Sequence, residues 1–293
     1  MDDPQFQYVQ GQSRPGFASL LAEYEAESLA AVAAGTCALD QRYGPSERQT
    51  FDFFPARGRA RGTLAYFHAG YWQSRDKSTF RFIAPAFAEM GVNVALVNYP
   101  LCPSVSLPAL VVAASACVPA IRHLSAEGDG DGLPLVLAGH SAGAHIAVEL
   151  ALADEHAAST GGAIDGVVAM SGIFDLAPLV ETSLNDKLRL DAASAAACSP
   201  LHRVRAHAAP LLVVVGEEET PAFIDQSRRL HEAWTGAGNR SALHVAPRAD
   251  HFSLLRHLAL PGGPLFEKVD ALMASAGRRR GFEHDARSGQ DYH

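Results

Sequence analysis

The sequence predicts an α/β fold, a mostly parallel twisted sheet with helices on both faces and a short helical cap. Three observations carry that expectation. From residue 63 onward, short apolar runs alternate with helical stretches at a spacing that suits a parallel sheet. The run Leu135–Ala138 passes through Gly139-His140-Ser141-Ala142-Gly143 straight into a helical pattern. A second run, Thr63–Phe67, leads into His68-Ala69-Gly70-Tyr71-Trp72, again ahead of a helix. With 48% hydrophobic and 19% charged residues, the 293-residue chain can bury a large core, and α/β folds of this length are routinely single. We therefore read residues 1–293 as one domain.

Taken in order, residues 17–33 combine helix formers with apolar Leu20, Leu21, Tyr24 and Leu29, an amphipathic helix that covers part of the fold. A polar turn follows, then an alternating stretch with Phe51 and Phe53 that suits an early antiparallel strand. The basic segment ARGRARG, 56–62, reads as a solvated hairpin tip. Strands are predicted at Thr63–Phe67, Val92–Val97, Leu135–Ala138, Val167–Met170, Leu211–Val215 and Ala242–Val245. Helices are predicted at 78–90, 108–124, 143–153, 222–235 and 264–275. The cap, about 175–208, should turn Leu179, Leu184 and Leu188 inward. The last stretch, about 277–293, is polar and lacks an apolar period, so it reads as a frayed tail despite its three consecutive arginines.

Charge and cysteines narrow the function classes. A net charge of −8 argues against nucleic acid or an anionic membrane as the main partner and leaves a small-molecule substrate as the expectation. Cys37, Cys102, Cys117 and Cys198 are widely spaced, with no CxxC pair, which predicts neither a metal site nor a disulfide framework. No cofactor is expected. The first residues show no basic region followed by an apolar stretch, and no uninterrupted apolar run of about 18 residues is evident. A cytoplasmic protein is the expectation, and a homodimer is compatible with it.

A strand, a GxSxG turn and a helix are the ingredients of a nucleophile elbow. The turn would strain Ser141 so that its hydroxyl projects from the top of the sheet. Gly139 and Gly143 would flank it because side chains there collide as strand and helix approach. The plainer reading is a serine in a Gly-rich turn. The amide of Ala142, at the helix start, would face a developing negative oxygen, joined by the amides of Gly70 and Tyr71 from the loop after Thr63–Phe67. In this fold the order along the chain is serine, acid, histidine. Among 13 histidines, His251 lies on a loop between a strand and a helix, where the base belongs. His244 falls within a strand and His257 on a helix, while His202, His207 and His231 precede or flank the acid strand. The acid should follow Leu211–Val215, where Glu217-Glu218-Glu219 stand; Glu219 is preferred, with Asp175 as the alternative. Asp250 reads as a turn former. Trp72, Tyr71, Phe174 and Phe252 could line a pocket, although ordinary packing serves each as well.

These residues also carry a family resemblance. HAGYWQSRDKS and GHSAGAHIA, together with SGIFDLAPL, GEEETPAF and ADHFSLL, resemble the α/β-hydrolase kynurenine formamidases, or arylformamidases. The resemblance runs from about residue 40 to residue 256. It implies the α/β-hydrolase fold, a nucleophile at Ser141, a base at His251 and an acid at Glu219. It further implies hydrolysis of N-formyl-L-kynurenine in tryptophan catabolism through a formyl-serine. Two departures bear on the substrate: the family's first glycine after the histidine is Ala69 here, and its aspartate is Glu219. They keep open a carboxylesterase or another acyl-amide hydrolase. A non-catalytic binding protein of the same fold is the third reading, against which Ser141, His251 and the acid argue.

Overall fold

The computed structural model describes residues 3–12, 14–129, 132–154, 164–206 and 209–288. Eight strands form one sheet: β1 (Ala38–Arg42), β2 (Thr50–Phe54), β3 (Thr63–Phe67), β4 (Asn93–Val97), β5 (Leu135–His140), β6 (Gly166–Met170), β7 (Leu211–Gly216) and β8 (Ser241–Ala246). Their spatial order is β1-β2-β4-β3-β5-β6-β7-β8. The first two pairings are antiparallel and the remaining five parallel.

The central strands read as unbroken apolar runs because both faces of the sheet are covered. Alternate residues serve opposite cores. Ala65, Phe67, Leu137, Ala169 and Val213 point to one cluster, and Leu64, Tyr66, Val136, Val168 and Val214 to the other. Helices α4 (Leu107–Ser115), α5 (Cys117–Asp129), α6 (Ala142–Ala153) and α9 (Pro221–Gly236) supply the first. Helices α2 (Phe17–Ala34), α3 (Ala84–Glu89), α10 (Leu254–Leu258) and α11 (Pro264–Ser288) supply the second. Between β6 and β7 the cap holds a 3-10 turn (Ala177–Glu181), α7 (Asn185–Leu188), α8 (Ala192–Ala197) and a second 3-10 turn (Pro200–Arg203). Leu179, Leu184 and Leu188 are buried beneath it.

The structure departs from the sequence expectations at several places. The short helix α1 (Pro4–Tyr8) and the edge strand β1 carry too weak an apolar pattern to be read in advance. The segment 56–62 is not a hairpin tip, because β2 and β3 are separated by β4. Its backbone bonds to Ala88 and Gly91, and Arg57 and Arg61 pair with Glu89 and Asp270. The helix expected at 78–90 is a 3-10 segment (Lys77–Ile83) followed by α3. The polar end, read as a frayed tail, continues α11 through Ser288, with Arg279 and Arg280 bonded to Asp165; residues 289–293 lie outside the described residues, as does His207. Finally, Leu107–Glu127, with a mean hydropathy of 1.6, is long and apolar enough to cross a membrane by length and composition. Its stripe of Leu107, Leu110, Ala114, Cys117, Val118 and Ile121 faces the core.

Candidate active site

Ser141 sits between β5 and α6 with φ 56° and ψ −118°, a conformation that costs a residue with a side chain on the order of 1–3 kcal/mol. Hydrogen bonds hold it there. Its amide donates to the Met170 carbonyl at 2.9 Å, and its carbonyl accepts from the Ala144 and His145 amides. Packing leaves no alternative: a Cβ on Gly139 would stand 2.1 Å from the Gly143 carbonyl oxygen, and one on Gly143 would stand 2.0 Å from that of Phe67. Only glycine at both positions lets strand and helix meet this closely. Ala142 opens α6, so its amide is one of the first-turn donors that no helical carbonyl can satisfy.

Glu219 follows β7 and is buried, while Glu217 and Glu218 face solvent. Its Oε2 accepts a hydrogen bond from His251 Nδ1 at 2.7 Å. Its Oε1 accepts from the Gly216 amide at 2.8 Å and from the Ser171 hydroxyl. The carboxylate is thus held at three points, and donation from Nδ1 leaves His251 Nε2 as the basic nitrogen. Asp175, the alternative acid, is engaged elsewhere. It accepts from Arg229 at 2.8 Å and lies 3.6 Å from His202. Asp250 accepts from the amides of Phe252 and Ser253 and shapes the turn that carries His251.

The loop after β3 is held in an unusual backbone. Gly70, Tyr71 and Trp72 have φ values of 136°, 53° and 60°, and a Cβ on Gly70 would collide with the Ser74 carbonyl. The Tyr71 hydroxyl donates to the Tyr8 carbonyl at 2.7 Å, and Gln73 Nε2 donates to the Leu184 carbonyl of the cap at 2.8 Å. Among the described residues the amides of Gly70 and Tyr71 donate to no protein group. Ala69 keeps a negative φ, so its methyl adds no backbone strain. His68 is sandwiched between Phe80 and Tyr99, and burial pushes its pKa down to about 4.

Ser141, His251, Gly70, Tyr71 and Ala69 share the wall of one cavity of about 190 Å³, smaller than sites for drug-sized ligands. Phe252 lines it, with its ring centre 4.0 Å from that of Phe17. Trp72 and Phe174 do not. Trp72 is fully buried, edge-on to His145, and its Nε1 donates to His145 Nδ1 at 3.3 Å. Phe174 is fully buried in the core below the cap. Of the two readings the sequence leaves open for them, pocket lining and ordinary packing, both residues take the second, because apolar contact below the loops outweighs exposure at the rim. In their place, α2 contributes Phe17, Leu21 and Tyr24, a remote helix whose role no local pattern signals.

Two further histidines of the elbow have distinct settings. His140 lines the cavity with its ring 4.7 Å from that of His251, and neither ring nitrogen has a protein partner among the described residues. Burial, and secondarily the neighbouring His251, hold its pKa well below the ordinary histidine value, which disfavours a positive charge beside His251. His145, four residues after the serine, accepts from Trp72 and sits 2.9 Å from the Cys198 carbonyl, joining the elbow helix to the β3 loop and the cap. Among the described residues no group of three or more His, Cys, Asp or Glu side chains is placed to hold a metal ion.

A model of the alpha/beta hydrolase fold matches residues 64–255, from β3 through the His251 loop into α10. The chain belongs to the α/β-hydrolase fold family. Within that family, this hydrolase is 29% identical to a kynurenine formamidase of Danio rerio over 227 residues, covering 75% of this chain and 76% of that protein. It is 26% identical to the esterase LipQ of Mycobacterium tuberculosis over 238 residues, covering 72% of this chain and 56% of that one. Among solved structures, a proposed thioesterase of Silicibacter sp. TM1040 superposes with a TM-score of 0.80 at 32% identity, over 90% of this chain and 98% of that one. The hydrolase thus has formamidase and esterase relatives, and a small-molecule substrate is implied by both.

Proposed function

We propose that the protein is a serine hydrolase that cleaves an N-formyl aryl amide, N-formyl-L-kynurenine being the substrate its relatives suggest, in tryptophan catabolism. The observation that carries this reading is the buried Glu219–His251 pair, whose His251 lines the same small cavity as Ser141 on its strained turn. His251 Nε2 takes the proton of Ser141 as Oγ attacks the formyl carbon. The oxyanion is held by the amides of Ala142, Gly70 and Tyr71, donors fixed before the reaction begins. His251 then gives the proton to the aryl nitrogen as the C–N bond breaks, and kynurenine leaves. Water, deprotonated by His251, attacks the formyl-serine; the C–Oγ bond breaks, the proton returns to Ser141 and formate is released. Glu219 fixes the imidazole tautomer and steadies the transient imidazolium. A cavity this small suits a formyl group and one aromatic ring. The cytoplasm, where reduced thiols would persist, is the proposed location.

The esterase relative and the departures Ala69 and Glu219 favour one second reading, a carboxylesterase acting through the same residues. The test is to supply the purified protein with N-formyl-L-kynurenine and a panel of short-chain aryl esters. Appearance of kynurenine with a higher kcat/KM than any ester supports the first reading. Ester hydrolysis without kynurenine overturns it in favour of the second.

A further inference from the structure

Arg75 stands apart from the other charged groups near the cavity. It is the cation in the cavity wall, and no Asp or Glu lines that wall among the described residues. Its guanidinium carbon lies 5.6 Å from the centre of the Phe17 ring, the ring that packs on Phe252 at the mouth. The neighbouring acid cannot neutralise it, because Asp76 is held by Arg48, by Asn98 Nδ2 and by the Ser78 amide. Other nearby arginines are engaged: Arg256 pairs with Glu23 and Glu27, and Arg14 donates to the Glu218 carbonyl. Arg75 forms no ion pair and no side-chain hydrogen bond among the described residues.

The backbone fixes where it stands. Arg75 has φ 74°, a conformation uncommon outside glycine, and its carbonyl is pinned by Arg48 Nη2 at 2.9 Å. A strained backbone, a guanidinium 5.6 Å from the centre of an aromatic ring and donors without a protein partner among the described residues together present a planar cation at the mouth. A guanidinium of this kind matches a carboxylate in two-point geometry. The whole chain carries a charge of −8, which repels an anionic substrate at long range, so attraction at the mouth has to be local.

We infer that Arg75 is a specificity-determining residue that binds a carboxylate on the part of the substrate remote from the scissile bond. The substrate class is therefore an aryl amide or ester bearing an anionic side chain, with the ring among Phe17, Tyr24 and Phe252. Arg75 contacts substrate without touching the reacting atoms. The inference deepens the proposed formamidase reading, but it rests on the charge of the cavity and not on the formyl group.

The experiment uses two matched substrate pairs with the wild-type protein, Arg75→Met and Arg75→Lys. One pair is N-formyl-L-kynurenine and its α-carboxamide; the other is 3-(2-acetoxyphenyl)propionate and its propionamide. The readout is the ratio of kcat/KM for the anionic over the neutral member, which cancels any general damage to the loop. We expect Arg75→Met to lower that ratio by about 10- to 100-fold, mainly through KM, with Arg75→Lys between the two. A ratio unchanged in Arg75→Met for every pair that turns over overturns the inference, whichever substrate is cleaved. If the ester pair shows the effect and N-formyl-L-kynurenine is not hydrolysed, the carboxylate site stands and the formamidase reading falls.

Discussion

Glu219 and Asp175 both follow strands at the active end of the sheet, and their neighbours decide between them. Glu219 is gripped by His251, the Gly216 amide and the Ser171 hydroxyl, whereas Asp175 answers to Arg229. Glu219→Gln should therefore lower kcat by about 10³- to 10⁴-fold, because an amide cannot hold the imidazole in the working tautomer. Asp175→Asn should stay within about threefold of wild type in steady-state assays, and the reverse pattern would move the acid to residue 175. Ser141→Ala should lower turnover by about 10⁴-fold or more while competitive inhibitors still bind, and near-normal turnover would remove the proposed nucleophile. That Glu219 would meet His251, and that Ser141 and His251 would share one cavity, was legible because strand order fixes which loops come together. The pocket was not. An aromatic residue on a rim loop can turn up or down, and Trp72 turned down because its indole N–H found His145.

At the scale of elements, the elbow depends on backbone approach more than on side-chain chemistry. Gly139→Ala and Gly143→Ala should each abolish activity and lower the thermal midpoint by several degrees, since the added methyl meets backbone that cannot yield. Gly236→Ala, at the end of α9 with open space around it, is the control and should be neutral or slightly stabilising by calorimetry. Equal effects at all three positions would contradict the packing argument. The central parallel strands β3, β5, β6 and β7 were readable as apolar runs because each is buried on both faces. What could not be read depended on distant partners. Strand β1 is a half-exposed edge with polar residues, the 56–62 crossover is set by β4 lying between β2 and β3, and the polar end of α11 is anchored by Asp165.

For the molecule as a whole, three buried histidines bear on stability. Burial lowers the pKa of His68, His140 and His145 in the folded chain, to about 4 for His68. Below the ordinary value of 6.5 the unfolded chain takes up protons that the folded chain does not, so stability is full above 6.5 and falls as pH drops toward 4. Each such histidine contributes a slope of up to about 1.4 kcal/mol per pH unit within its window. The urea midpoint should accordingly be lower at pH 5 than at pH 7, and an equal or higher midpoint at pH 5 would contradict the buried neutral histidines.

The architecture gathers the elbow, the β3 loop and the His251 loop around one cavity, and the proposed chemistry turns on the hydroxyl of Ser141. The most direct measurement treats the protein with a serine-directed aryl phosphonate, maps the adduct by mass spectrometry and follows hydrolysis of the formamide and of a short aryl ester in the same samples. The account predicts one adduct per chain, on Ser141, with both activities lost in proportion to labelling and no adduct in Ser141→Ala. Labelling at another residue, or hydrolysis that persists once Ser141 is fully modified, would contradict it.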